Sequence, residues 1–129
     1  MPNRARDWLV QAERDLEQAR DSQAAGRHEW ACFAAQQAAE KAVKALHLSL
    51  GQQAWGHVVA RLLQELPATV AVPALLLDKA RVLDSFYVPT RCPNGHDAGS
   101  PGENYGSLQS AEGICHASEI LAFVRARMA

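Results

Sequence analysis

The stretch Trp30-Ala-Cys-Phe-Ala-Ala-Gln-Gln-Ala-Ala-Glu-Lys-Ala-Val-Lys-Ala-Leu46 decides the fold. Its apolar residues recur at the three-and-four spacing of a helix, on two stripes. One stripe holds Cys32, Ala35, Ala39, Val43 and Leu46; the other holds Trp30, Phe33, Ala34, Ala38, Ala42 and Ala45. A helix apolar on nearly all sides is buried on nearly all sides. This segment, from about Glu29 to Leu50 with a stop at Gly51, is therefore expected at the centre of a bundle. A polar seam crosses it: Gln37, Glu40, Lys44 and His47, spaced to share one face. Glu40 stands one helical turn before Lys44, the favourable order for an ion pair. The seam reads either as a solvated face or as the lining of a polar site. In the second case Glu40 and Lys44 are predicted to face the same cleft as Arg91.

Outward from this helix the pattern stays helical. Before it, Trp8, Leu9, Ala12, Leu16 and Ala19 predict a helix over about Arg4 to Ala25, ended by Gly26. After it, Val58, Val59, Leu62 and Leu63 predict a short helix over about His57 to Leu66, stopped by Pro67. A fourth helix starts near Pro73, carries Leu75, Leu76, Ala80, Leu83 and Tyr87, and closes at Pro89. Val88 to Tyr105 is rich in Pro and Gly and lacks apolar periodicity, so it predicts a long loop. The last helix is expected over Ser107 to Arg127, with Leu108, Ala111, Ile114, Cys115, Ser118, Leu121 and Val124 inward. The fold class is all-α: an up-and-down bundle of about five helices with a long loop before the last. The chain, 129 residues long, is expected to form a single domain over residues 1–129.

Composition narrows the function classes. The formal net charge is −1, so nucleic-acid binding would need a local basic patch. The three cysteines, Cys32, Cys92 and Cys115, have no paired spacing, which argues against a disulfide framework and for a reducing compartment. The first residues carry no apolar signal region and no run approaches membrane-spanning length. A cytoplasmic protein without membrane association is expected.

Cys92, His96, Cys115 and His116 could supply zinc ligands by type. Their spacing is not diagnostic, and no metal is expected. No glycine-rich phosphate loop is present. The chemically useful segment is Thr90-Arg91-Cys92-Pro93-Asn94-Gly95-His96. Arginine presents a rigid fork of donors suited to phosphate, and histidine moves protons near neutral pH. Arg91 and His96 are thus adequate in type for metal-free RNA cleavage.

The helix Ala31 to Leu46 resembles the signature helix of HEPN domains. The Gly56-His57 pair before Leu62-Leu63 resembles a second landmark of that family. Leu83-Asp84-Ser85-Phe86-Tyr87, then Thr90-Arg91-Cys92-Pro93, then Glu103-Asn104-Tyr105 resembles a third. The resemblance spans about Asp7 to Val124. It implies a helical bundle that often dimerises, pairing with small nucleotidyltransferases in toxin–antitoxin systems; no cofactor is expected. In members that cleave RNA it implies a metal-independent ribonuclease using an arginine and a histidine a few residues apart, here Arg91 and His96. Other members bind nucleotides only. The nucleotide-binding residues expected here are Arg91, Lys44, Glu40 and Tyr105.

Three functions follow as alternatives. The first is a module that binds a nucleotide, a nucleotidyltransferase partner or both. The second is a ribonuclease toxin in which His96 takes the ribose 2′-hydroxyl proton and Arg91 stabilises the phosphate. The third is a structural bundle that only self-associates. Apolar surface left over on the second and last helices predicts a homodimer bringing two Arg91–His96 loops together.

Overall fold

The computed structural model describes residues 3–129. Its helices are α1 (Ala5–Ala24), α2 (His28–Ser49), α3 (Val59–Gln64), α4 (Ala74–Asp84), α5 (Pro101–Asn104) and α6 (Ser107–Met128), with a 3-10 turn at Pro93–Gly95. No strand occurs among the described residues. The all-helical class expected from periodicity is the class observed.

The central element is α2, which packs against all five other helices. Ala31, Cys32, Ala35, Ala38, Ala39, Ala42, Val43, Ala45 and Leu46 have no exposed surface. Most of these side chains are single methyl groups, so α1 and α6 approach the α2 backbone closely. Leu9, Ala12, Leu16 and Ala19 of α1 are buried as their spacing predicts, and Trp8 packs partly exposed at the edge. The buried apolar residues join into one cluster.

Two glycines set the ends of α1 and α2. Gly26 has φ 77°, and Arg27 N–H donates to Ser22 O at 2.9 Å while Gly26 N–H donates to Gln23 O at 3.0 Å. Gly51 has φ 76°, with Gln52 N–H on His47 O at 2.9 Å and Gly51 N–H on Leu48 O at 3.0 Å. This paired closure satisfies the last carbonyls and requires a left-handed residue, which glycine adopts without a Cβ penalty.

Several boundaries and faces differ from the sequence reading. The helix α3 is shorter than His57 to Leu66, and Val58 is 47% exposed. Helix α4 ends at Asp84, and the chain runs on in turns to Arg91. Pro89 lacks an N–H and clashes with the carbonyl four residues back, which stops the helix before it. Leu75 is 63% exposed.

The expected inward face of the last helix is rotated. Ser110, Gly113, Ile114, Ala117, Ile120, Leu121 and Val124 are buried, whereas Leu108 is 84% exposed and Cys115 is exposed. The start of α6 is held by Ser110, whose Oγ lies 2.8 Å from His28 Nδ1 and accepts from Gln23 Nε2 at 3.3 Å. Gly113 lies close under the Phe86 ring. A polar anchor and a small residue thus set the rotation against the pull of Leu108.

The loop before α6 has more structure than expected. It contains the 3-10 turn and α5. Asn104 Nδ2 donates to the carbonyls of Ala98 and Ser100, each at 2.9 Å. Gly106 N–H donates to Gln109 Oε1 at 2.6 Å. These side-chain bonds replace the apolar packing that the segment lacks.

Candidate functional site around Arg91

Glu40 is 4% exposed on the central helix. A carboxylate so withdrawn from water must be paired and fully hydrogen-bonded. Lys44 Nζ donates to Oε2 at 3.1 Å. Gln36 Nε2 and His57 Nδ1 reach Oε1 at 3.1 and 3.0 Å. Gln36 is itself fully buried, and its amide nitrogen also lies 3.2 Å from the His57 carbonyl. Gln37, the glutamine assigned to the seam, donates to Gln36 Oε1 at 2.7 Å. The sequence reading missed Gln36 because its position falls between the two apolar stripes and the seam.

The segment bearing His57 is fixed from α4. Asp84 accepts from Val59 N–H at 2.6 Å and from Ala60 N–H at 3.1 Å, closing the start of α3. Burial pushes the Asp84 carboxyl above its ordinary value; the two backbone donors pull it back, nearby Glu40 pushes it up, and Arg81 pulls it down.

Arg91 follows the turns after α4. Thr90 Oγ1 donates to Phe86 O at 2.5 Å, and Arg91 Nε donates to Tyr87 O at 2.8 Å. The Arg91 guanidinium carbon lies 4.3 Å from the Phe33 ring centre and 4.7 Å from that of Tyr87. Tyr87 in turn stacks on His57, with centroids 4.6 Å apart and planes 17° apart. Arg91, Tyr87, His57, Glu40 and Lys44 therefore form one contiguous chain of contacts. Nε is committed, so the exposed fork of Nη1 and Nη2 is what Arg91 presents to solvent. Phe33 also lines a groove of about 470 Å³ between α1 and α2, together with Trp30, Arg27, Gln37, Lys41 and Asp15.

His96 and Tyr105 make a second set of contacts. His96 Nε2 donates to Pro89 O at 2.6 Å, and its ring meets Tyr105 edge-on at 5.5 Å. Tyr105 packs on Phe86 at 5.9 Å, and burial raises its phenol above the ordinary value. The expected site residues thus make two sets of contacts, both anchored on the Phe86–Pro89 segment. Arg91, Glu40 and Lys44 share one set, and His96 and Tyr105 share the other.

His47, assigned to the polar seam, is instead a core residue. It is 2% exposed, and Nε2 donates to Leu62 O at 2.7 Å. Its position lies under α3, which spacing along α2 does not reveal. Cys115 and His116 turn to Glu119 and Glu112 of their own helix. Among the described residues no group of His, Cys, Asp or Glu side chains is placed to hold a metal ion. No helix among them is long and apolar enough to cross a membrane.

The model of the HEPN domain family matches residues 5–126. The chain belongs to the HEPN family. This HEPN protein is similar in structure to TT1696 from Thermus thermophilus, with a TM-score of 0.96 and 51% identity over 98% of this chain and 99% of that one. It is also similar to ST0689, described as an archaeal HEPN homologue, with a TM-score of 0.84 and 40% identity over the full length of both chains. A HEPN domain protein from Thermotoga maritima, TM0613, matches with a TM-score of 0.75 and 34% identity over 93% of this chain and 95% of that one. No curated protein matches this HEPN chain.

Proposed function

We propose that this HEPN protein binds a nucleotide, with Arg91 holding phosphate and the Phe33–Trp30 end of the α1–α2 groove taking the base. The observation that carries this reading is the setting of Arg91. Its guanidinium is stacked over two aromatic rings, its Nε is fixed on a carbonyl, and its fork is left outward. An arginine held this way loses little further freedom on meeting a phosphate, and its two terminal groups match two phosphate oxygens. Phe33 belongs both to the Arg91 stack and to the groove, so a base resting there lies within reach of the phosphate ligand. Trp30 is 50% exposed and offers a second ring face. Lys44 acts through Glu40, to which its charge is committed, and Tyr105 stands outside this site.

Calorimetry with AMP, ATP and GTP tests the reading. Arg91→Ala is expected to weaken binding by at least about tenfold, or ~1.4 kcal/mol. Binding unaffected by that change would remove Arg91 from the site.

The cleavage alternative requires His96 to act beside Arg91. With Nε2 on the Pro89 carbonyl and the ring against Tyr105, His96 gives that alternative no support from geometry. Two further parts of the reading concern partners. A small nucleotidyltransferase, in a toxin–antitoxin-like pair, is the proposed protein partner; co-purification with the product of an adjacent reading frame of that type would test it. A homodimer is proposed from the exposed apolar side chains, among them Trp55, Leu75 and Leu108. Sedimentation at micromolar protein would show twice the chain mass, and a clean monomer would remove the dimer.

A further inference from the structure

Gln37 lines the same groove as Phe33 and Trp30. It stands one helical turn after Phe33 on α2, so the two side chains are neighbours on the helix surface. The polarity of its amide is dictated from the core. Gln36 Nε2 meets Glu40 Oε1 at 3.1 Å and the His57 carbonyl at 3.2 Å. A carboxylate and a carbonyl only accept, so the fully buried Gln36 amide has one orientation, with Oε1 turned away from them. That oxygen accepts in its turn, and Gln37 presents its own Nε2 to it at 2.7 Å. Gln37 is left with Oε1, an acceptor that takes no hydrogen bond among the described residues and is not shut off from solvent. Asp15, the carboxylate of the same groove, is already engaged by Lys41 at 2.5 Å. Two amides in series thus carry the acceptor character of buried Glu40 out to the groove.

We infer that Gln37 is the base-reading residue of this groove, its Oε1 accepting a hydrogen bond from the exocyclic amine of adenine. The inference rests on the reading that a nucleotide base occupies the groove beside Phe33 and Trp30. A base stacked on an aromatic ring is told from other bases by polar groups that meet its edge. Adenine carries an amine donor beside a ring-nitrogen acceptor, a pattern that a glutamine amide matches. In the same pose guanine and hypoxanthine put a carbonyl oxygen where the amine would be, acceptor against acceptor. A freely turning amide would flip to suit either base. Here a flip would set Gln37 Oε1 against Gln36 Oε1, and turning Gln36 to relieve that would break its bonds to Glu40 and to the His57 carbonyl. The ligand class is therefore an adenine nucleotide in preference to one with a 6-carbonyl purine.

The test is calorimetry with three nucleotides that differ only at the 6-position of the purine: AMP, purine riboside monophosphate, which has hydrogen there, and IMP, which has a carbonyl. Wild type is expected to bind AMP about fivefold more tightly than the purine riboside nucleotide, and IMP more weakly than either. Gln37→Met keeps the length of the side chain and removes the acceptor. It is expected to bind AMP no better than the purine riboside nucleotide, while its affinity for the latter stays at the wild-type value. A residue that only supports the helix would lower both affinities together, and that result overturns the inference. So does a wild type that binds AMP and the purine riboside nucleotide equally, a comparison that needs no variant. So does a Gln37→Met protein that keeps the wild-type preference for AMP. In each of these cases nucleotide binding that is still lost in Arg91→Ala leaves the reading of the site standing. If wild type binds none of the three, that reading fails and takes this inference with it.

Discussion

Lys44 Nζ lies 3.1 Å from Glu40 Oε2, and the two side chains are only 14% and 6% exposed. The pair is local in sequence, but its burial is a property of the bundle, since His57, just before α3, covers Glu40 and Trp8 of α1 lies against Lys44.

Lys44→Ala removes the cation and leaves a buried carboxylate with Gln36 and His57 alone. The expected loss is roughly 2–4 kcal/mol, toward the range for breaking a buried pair. Arg4 and Asp7 provide the control, being 74% and 64% exposed, and Arg4→Ala should cost less than about 1 kcal/mol. Urea unfolding of both variants decides this. Equal, small losses would place the Lys44–Glu40 pair effectively in solvent.

Asp84→Ala removes two hydrogen bonds from the start of α3 and is expected to cost about 1 kcal/mol. The pH dependence has a definite sign. Burial raises the Asp84 carboxyl in the folded protein. A raised acid contributes linkage stability that is fully present below the unfolded carboxyl value, about 4, and is lost as pH rises through the folded value. Wild-type stability should therefore fall relative to Asp84→Asn as pH rises from below that range to above it. An unchanged difference across the interval would show that the carboxyl is not raised.

His96→Ala breaks the bond to the Pro89 carbonyl and an edge contact to Tyr105. A loss of about 1 kcal/mol is expected, with AMP affinity changed by less than about twofold. Thermal melts and calorimetry on the same sample separate the two. A loss of affinity as large as that of Arg91→Ala would return His96 to the binding site.

Cys32 has no exposed surface, and burial, with Glu29 adding to it, pushes its thiol up to about 12. The thiolate is the reactive form, so Cys32 should resist alkylation in the folded protein. Cys115, exposed on α6, should react first. Mass spectrometry after brief alkylation, with and without denaturant, checks the order. Rapid modification of Cys32 without denaturant would contradict the burial of α2.

The sequence by itself determined the long helices and the stops of α1 and α2. The spacing of Leu9, Ala12, Leu16 and Ala19, the alanine run of α2, and the glycines at 26 and 51 act within one or two turns of chain. Their effects follow from helix period and backbone sterics alone. The Glu40–Lys44 contact was legible for the same reason, since one helical turn brings the two together. What lay between elements was not. His57 meets Glu40 across a separation of 17 residues, and Arg91 meets Phe33 across a longer one, so both depend on how α2 is oriented against the turns after α4. The same holds for the burial of His47 under α3, the choice of Gln36 over Gln37 as the inner glutamine, and the rotation of α6. Each was set by which neighbour covers a given face, and a periodic pattern names a face without naming its neighbour. The contacts of Arg91 and His96 are a further instance: Phe33 and Tyr87 hold the arginine while the Pro89 carbonyl and Tyr105 hold the histidine, and none of these partners follows from the spacing of the two residues.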